Sequence, residues 1–169
     1  ILDRNCHKSI HHGVVLSGAH PVYLNSSVNK KFQIYGPVAK KILFQAIEEH
    51  SDAQALILTS CTYDGLRYDL PPIIQAAHSK GIKVIIDEAW YGFARFHPDF
   101  RPTALEAGAD YVTQSTHKVL SAFSQSSMIH VNDPDFNEHL FRENFNMHTS
   151  TSPQYSMIAS LDVARKQIV

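Results

Sequence analysis

Three short apolar runs, each broken off by a polar cluster, constrain this chain more than any other feature. They are "ALILTS" (55–60), "IKVIIDEAW" (82–90) and "DYVTQS" (110–115). The clusters at their ends are Ser60-Cys61-Thr62-Tyr63-Asp64-Gly65, Asp87-Glu88-Ala89-Trp90 and Ser115-Thr116-His117-Lys118. Runs this short and this apolar read as buried strands. Segments of helical periodicity lie between them. "PVAKKILFQAIEEH" (37–50) has Pro37 near an N1 position and Val38, Ile42 and Ala46 at helical spacing; "LPPIIQAAHSKG" (70–81) closes on Gly81. The expected fold class is therefore α/β, a mostly parallel sheet with helices on both faces. "GVVLSGA" (13–19), "HPVYL" (20–24) and "SSMIHV" (126–131) read as further strands and "PTALEAGA" (102–109) as a short helix. "DPDFNEHLFREN" (133–144) reads as a helix capped by Asp133, and 153–166 as a last one. Parallel strands put their carboxyl ends on one edge, where the ligands of open α/β sheets collect. The three polar clusters should converge there.

Composition removes several alternatives. A length of 169 residues suffices for one domain with a real core. Lys and Arg total 15 against 16 Asp and Glu, which gives no electrostatic reason to expect nucleic acid or an anionic membrane as partner. No apolar run approaches the ~18 residues of a membrane span, and "ILDRNCHKS" lacks the apolar core of a signal peptide. Two cysteines, Cys6 and Cys61, build no disulfide framework; they read as buried small hydrophobes in a reducing, cytoplasmic setting. Eleven histidines make the net charge strongly positive below about pH 6.5. His7 and His11, four apart in "HKSIHH", invite a metal, but no carboxylate or Cys completes a ligand spacing, so none is expected. The chain opens at Ile1 without an initiator Met and closes inside the helical pattern "SMIASLDVARKQIV", as an excised segment does.

Lys118 follows a buried strand and is surrounded by apolar sequence. The plain reading is a solvated amine; the sharper one is an amine desolvated in a cleft, with lowered pKa, able to condense with a carbonyl as a Schiff base. Asp87 reads either as a loop or cap charge or as an anion facing a ring nitrogen. Together the two suit pyridoxal 5'-phosphate (PLP), which needs a lysine and an anion opposite its pyridine nitrogen. Ser115 and His117 are then candidates for its phosphate.

"DRNCHKSI" (3–10), "SCTYDGLRY" (60–68), "DEAWYGFARFHP" (87–98), "QSTHKVLSAFSQSSMIHV" (114–131) and "MHTSTSPQY" (147–155) resemble, in this order, the PLP-binding major domain of the bacterial ornithine/lysine/arginine decarboxylases, of the aspartate-aminotransferase-like fold (fold type I). The resemblance covers nearly the whole chain. It implies that Lys118 forms the Schiff base, that Asp87 pairs with the pyridine nitrogen and that Ala89 packs flat on the ring. It implies further that His7 stacks on the opposite face near the departing carboxylate and that Trp90 flanks the pocket. Ser115 and His117 would contact the phosphate, and Ser152, in "TSTSP", would reach the phosphate of a neighbouring subunit. The implied reaction turns a basic amino acid into an amine and CO₂ in a self-associating enzyme, a dimer or larger. "DEAWYGFARFHP" lies closest to arginine- and lysine-type members. The resemblance also implies that residues 1–169 are one part of the major domain, with a phosphate-cradling loop upstream and a C-terminal domain downstream, so that the isolated segment holds PLP weakly or not at all. Two alternatives stay open: a non-catalytic assembly or regulatory chain of the same fold, and a PLP aminotransferase or aldol-type lyase. "TYDG" (62–65) is placed near the cofactor without a role, since Asp64-Gly65 is equally a turn. "AWYGFARF" (89–96) divides between pocket wall and partner surface.

Overall fold

In a computed structural model describing residues 1–169, the chain builds one six-stranded sheet and one small hairpin. In order, the elements are β1 (Leu2–Asp3), α1 (Lys8–Ser17), β2 (Tyr23–Leu24), the hairpin strands β3 (Val28–Asn29) and β4 (Ile34–Tyr35), α2 (Lys40–Glu49), β5 (Ala55–Thr59) and α3 (Leu70–Ser79). They continue with β6 (Lys83–Asp87), β7 (Tyr111–Gln114), α4 (Thr116–Val119), β8 (Met128–Val131), α5 (Glu138–His148) and α6 (Tyr155–Ile168). The sheet runs β2-β1-β5-β6-β7-β8, parallel throughout except for the antiparallel β7–β8 pair. The α/β expectation holds, and the carboxyl ends of β1, β5, β6 and β7 share one edge.

Burial in the central strands alternates. Leu56, Leu58, Val84, Ile86 and Val112 are fully enclosed, against Leu43, Ala46 and Ile47 of α2 and Ile73, Ile74 and Ala77 of α3. Ile57, Ile85 and Asp87 lie on the opposite face and are half-buried, under the Ile10 and Val14 side of α1. Helices thus cover both faces, one deeply and one thinly.

Some local readings held and others gave way to tertiary context. Gly81, at φ +74, ends α3 as expected. Residues 13–19 are not a strand: 13–17 are the second half of α1. The His7 ring accepts from Ser9 N at the front of this helix, and Gly18 closes it in the left-handed conformation at φ 66, so the β-branched pair Val14-Val15 is overridden. Helix α2 starts after Ala39 rather than at Pro37, which moves its buried stripe to Leu43, Ala46 and Ile47 and leaves Ile42 exposed. Residues 102–109 form a single turn. Thr103 and Glu106 bond each other's backbone N–H reciprocally, but Gly108 at φ +96 ends the turn before a helix can propagate. Helix α5 is capped by Asn137, not by Asp133.

Two hydrogen-bonded carboxylates tie the sheet at opposite edges. At the carboxyl edge Asp3 accepts from Tyr68 OH (2.9 Å), Ser26 Oγ (2.6 Å) and Asn5 N (2.9 Å), while Tyr68 OH accepts from Val38 N (2.8 Å). This joins β1 to the segments entering α2 and α3. At the other edge Asp133 accepts from Lys83 Nζ (2.5 Å), Tyr111 OH (2.7 Å) and Asp135 N (2.9 Å). The Lys83 ammonium, then the Tyr111 hydroxyl, hold its carboxyl down at about 2.

Tyr68→Phe strips Val38 N of its acceptor and Asp3 of a donor inside the protein, and should cost about 1–3 kcal/mol of unfolding free energy by denaturant titration. Because the Asp133 pKa is depressed on folding, its contribution is complete above its unfolded value of about 4 and is lost as pH falls toward 2. The melting-temperature gap between the native chain and Asp133→Asn should therefore be full near neutral pH and shrink through that acid window; a gap independent of pH would refute the pairing.

Candidate active site

The carboxyl edge of the sheet encloses a cavity of about 220 Å³. Of the eight residues singled out from the sequence, Lys118, Asp87, Ala89, Trp90 and His7 line it. They arrive from three separate segments: His7 from the β1–α1 turn, Asp87 to Trp90 from the end of β6, and Lys118 from α4.

Asp87 is the last residue of β6. Its Oδ1 accepts from Ala89 N at 2.9 Å, a turn contact that also fixes the carboxylate's orientation. Its Oδ2 makes no hydrogen bond within the chain. The cap reading and the ligand reading therefore describe two oxygens of one group. Ala89 brings only a methyl group to the wall, leaving room for a flat ring. Trp90 meets Tyr63 edge-on, centroids 5.4 Å apart, and the Lys118 ammonium lies 5.5 Å from the Trp90 centroid.

Lys118 is exposed, which corrects the expectation of an amine sunk in an apolar cleft. Its four-residue helix buries only Thr116, so the lysine is turned to the cavity mouth. His7 caps α1: its Nδ1 accepts from Ser9 N and meets Ser9 Oγ at 2.9 Å, which assigns the ring proton to Nε2.

Ser115 and His117 flank the cavity without lining it. The Ser115 hydroxyl makes no hydrogen bond within the chain. The His117 backbone N and Nδ1 both donate to Ser126 O, at 3.2 and 2.8 Å, so Nε2 is its uncommitted nitrogen. Ser126 is buried and meets Ser160 Oγ of α6, which also accepts from Phe123 N at 3.0 Å. This serine pair anchors the loop carrying Lys118, and nothing local in the sequence announces it. Ser152 is exposed in the turn before α6, bonded only to Ser150, and does not line the cavity.

Other wall residues went unassigned from the sequence: Asp3, Asn5 and Thr59. Thr62 and Tyr63 of "TYDG" also lie on the wall, while Gly65, at φ +84, makes the turn behind them. Cys6 and Cys61 are half-buried thiols on the wall rather than packed core residues. Burial, then the Asp3 charge, pushes the Cys6 thiol up to about 11; burial raises Cys61 as well. His11 spends one nitrogen near Cys6 Sγ (3.5 Å) and the other on Tyr23 OH (3.2 Å). No group of three His, Cys, Asp or Glu side chains gathers as metal ligands.

An amine and an oriented carboxylate share one small cavity, with a hydroxyl and an imidazole beside it. Such a set can hold a planar heteroaromatic aldehyde by its carbonyl and its ring nitrogen, and has donors near for an anionic substituent.

The comparisons with known proteins agree. A family model described as "Orn/Lys/Arg decarboxylase, major domain" matches residues 1–169. An arginine decarboxylase of Bacillus cereus is 37% identical over 168 residues, covering 99% of this chain and 36% of that protein. Lysine decarboxylase LdcA of Pseudomonas aeruginosa is 39% identical over 186 residues, covering 97% and 25%. The uncharacterized protein YaaO of Bacillus subtilis is 41% identical over 169 residues, covering 99% and 35%. The chain thus spans about a third or less of the length of these relatives. Among solved structures, a serine palmitoyltransferase of Sphingomonas wittichii superposes with TM-score 0.74 at 19% identity, covering 99% of this chain and 40% of that one. A PLP-bound C-S lyase of Staphylococcus hominis gives 0.70 at 16% identity, covering 98% and 42%. No helix is long and apolar enough to cross a membrane. The fold is that of these enzymes, and by the match along its whole length the chain belongs to the Orn/Lys/Arg decarboxylase family.

Proposed function

We propose that residues 1–169 are the PLP-binding part of a cytoplasmic, self-associating decarboxylase that converts a basic amino acid, arginine, lysine or ornithine, into the corresponding amine and CO₂. The observation that carries this reading is the meeting of Lys118, Asp87 and Ala89 on the wall of one cavity. Named relatives that decarboxylate arginine and lysine support the substrate class.

Lys118 Nζ would bind the cofactor's aldehyde carbon. The free Oδ2 of Asp87 would hold the ring nitrogen, and its charge would favour the protonated ring. Ser115 Oγ and His117 Nε2 would take the phosphate, His117 donating from both nitrogens only as an imidazolium. PLP, when bound, supplies an electron sink conjugated to the substrate's α-carbon. The chain's own part is to orient: decarboxylation requires the Cα–carboxylate bond to stand perpendicular to the ring. His7 Nε2 or Lys118 Nζ then delivers a proton to the α-carbon after CO₂ leaves, so each turnover consumes one proton. Ser152 is proposed to act across a subunit interface, consistent with its exposure.

The full-length protein incubated with PLP should show the visible absorption of a lysine-bound cofactor, and Lys118→Ala should lose it. Supplied with arginine, lysine or ornithine, it should release CO₂ from at least one. A keto acid formed without CO₂ would overturn the decarboxylase reading, and a colourless protein the PLP reading.

A further inference from the structure

Behind the cavity wall runs a buried polar tie that none of the roles above uses. Glu88 stands between Asp87 and Ala89, yet its side chain turns the other way and is 1% exposed. Its Oε1 accepts from Ala104 N at 2.7 Å and its Oε2 from Gln114 Nε2 at 2.8 Å. Gln114 ends β7, directly before Ser115, and its Oε1 meets His130 Nε2 of β8 at 3.0 Å.

Both Glu88 oxygens face N–H donors, the arrangement of a carboxylate, although burial pushes its pKa up. In it Gln114 offers its NH₂ to Glu88 and its carbonyl to His130, whose Nε2 carries the proton. An apolar pair would fill this space without the cost of burying a charge. What the polar pair adds is direction, two bonds of set length and angle between neighbouring strand ends. Those ends hold the two groups that must face each other across the cavity: Asp87 one residue before Glu88, and Lys118 on the turn that leaves Gln114.

We propose that Glu88 and Gln114 are a positioning pair, which sets the spacing of Asp87 and Lys118 and through it the fit of PLP. The proposal rests on the PLP reading above. It assigns neither residue contact with cofactor or substrate.

The test reverses the pair in the full-length protein, with PLP as the probe. Gln114→Glu brings a second carboxylate against Glu88, and like charges at this distance disfavour each other. PLP affinity should fall roughly tenfold or more, with an altered visible circular dichroism of the bound cofactor. Combining Glu88→Gln with Gln114→Glu rebuilds every bond with reversed polarity: the amide at 88 accepts from Ala104 N and donates to the carboxylate at 114, which accepts from His130. Affinity should return to within about threefold of the native protein, and the dichroism with it. Should Gln114→Glu fail to fold, the double variant alone decides. Native affinity in Gln114→Glu, or no recovery in the double variant, overturns the positioning role while leaving the PLP reading intact. Absence of PLP binding by the native protein overturns both.

Discussion

The in-register parallel pairing of β5, β6 and β7 is the constraint on which the rest depends. Thr59 lies opposite Asp87, and Asp87 opposite Thr113, so the three strands run out together. Side chains alternate faces along a strand, and a slip of one residue exchanges them all. Such a slip in β6 would press Asp87 against α2 and α3 and turn Ile86 out of the core. The enclosed row of Val84 and Ile86 therefore determines which face the Asp87 carboxylate can occupy. Core packing and site geometry are one requirement here, met by a run of five residues.

Much of this was open to sequence reasoning because it is local. Strands β5, β6 and β7 announce themselves by composition, and α3 by its prolines and closing glycine. The polar strand ends follow from parallel topology, which brought Lys118 and Asp87 to one cavity. Elements whose signal is weak or non-local were lost. Strand β1 has two residues, too few to show a period, and only Tyr23–Leu24 of the run 20–24 pair as β2. The start of α1 depends on a histidine side chain as cap, outside the usual Ser, Thr, Asp and Asn. The Asp3–Tyr68 bond joins residues 65 apart, and the Ser126–Ser160 contact residues 34 apart, separations at which no pattern operates. For Ser152 the resemblance supplied a role that nothing within this chain's own cavity uses.

The two edges of the sheet treat polar groups in opposite ways. At the amino edge Lys83, Asp133, Asp135 and Tyr111 bond one another, so their capacity is spent on the fold. At the carboxyl edge the fold leaves capacity over: one oxygen of Asp87, the hydroxyl of Ser115 and one nitrogen of His117. Polar groups inside folded chains are generally paired. Three uncommitted ones, each only half-buried, stand around a single cavity next to an amine.

Three potential nucleophiles line that cavity: Lys118, Cys6 and Cys61. A thiol attacks as its thiolate, and burial raises both cysteines, Cys6 to about 11 with the help of the Asp3 charge. Near neutral pH both thus stay protonated and weakly nucleophilic. Lys118 differs by position rather than by burial. It stands at the open mouth, its ammonium against the Trp90 face, with no carboxylate pairing it. An amine free of a salt bridge loses no ion pair when it gives up its proton to form a carbon–nitrogen bond. In the proposed reading the chemistry of the cavity falls to the amine: burial keeps the thiols protonated, and no carboxylate pairs the lysine.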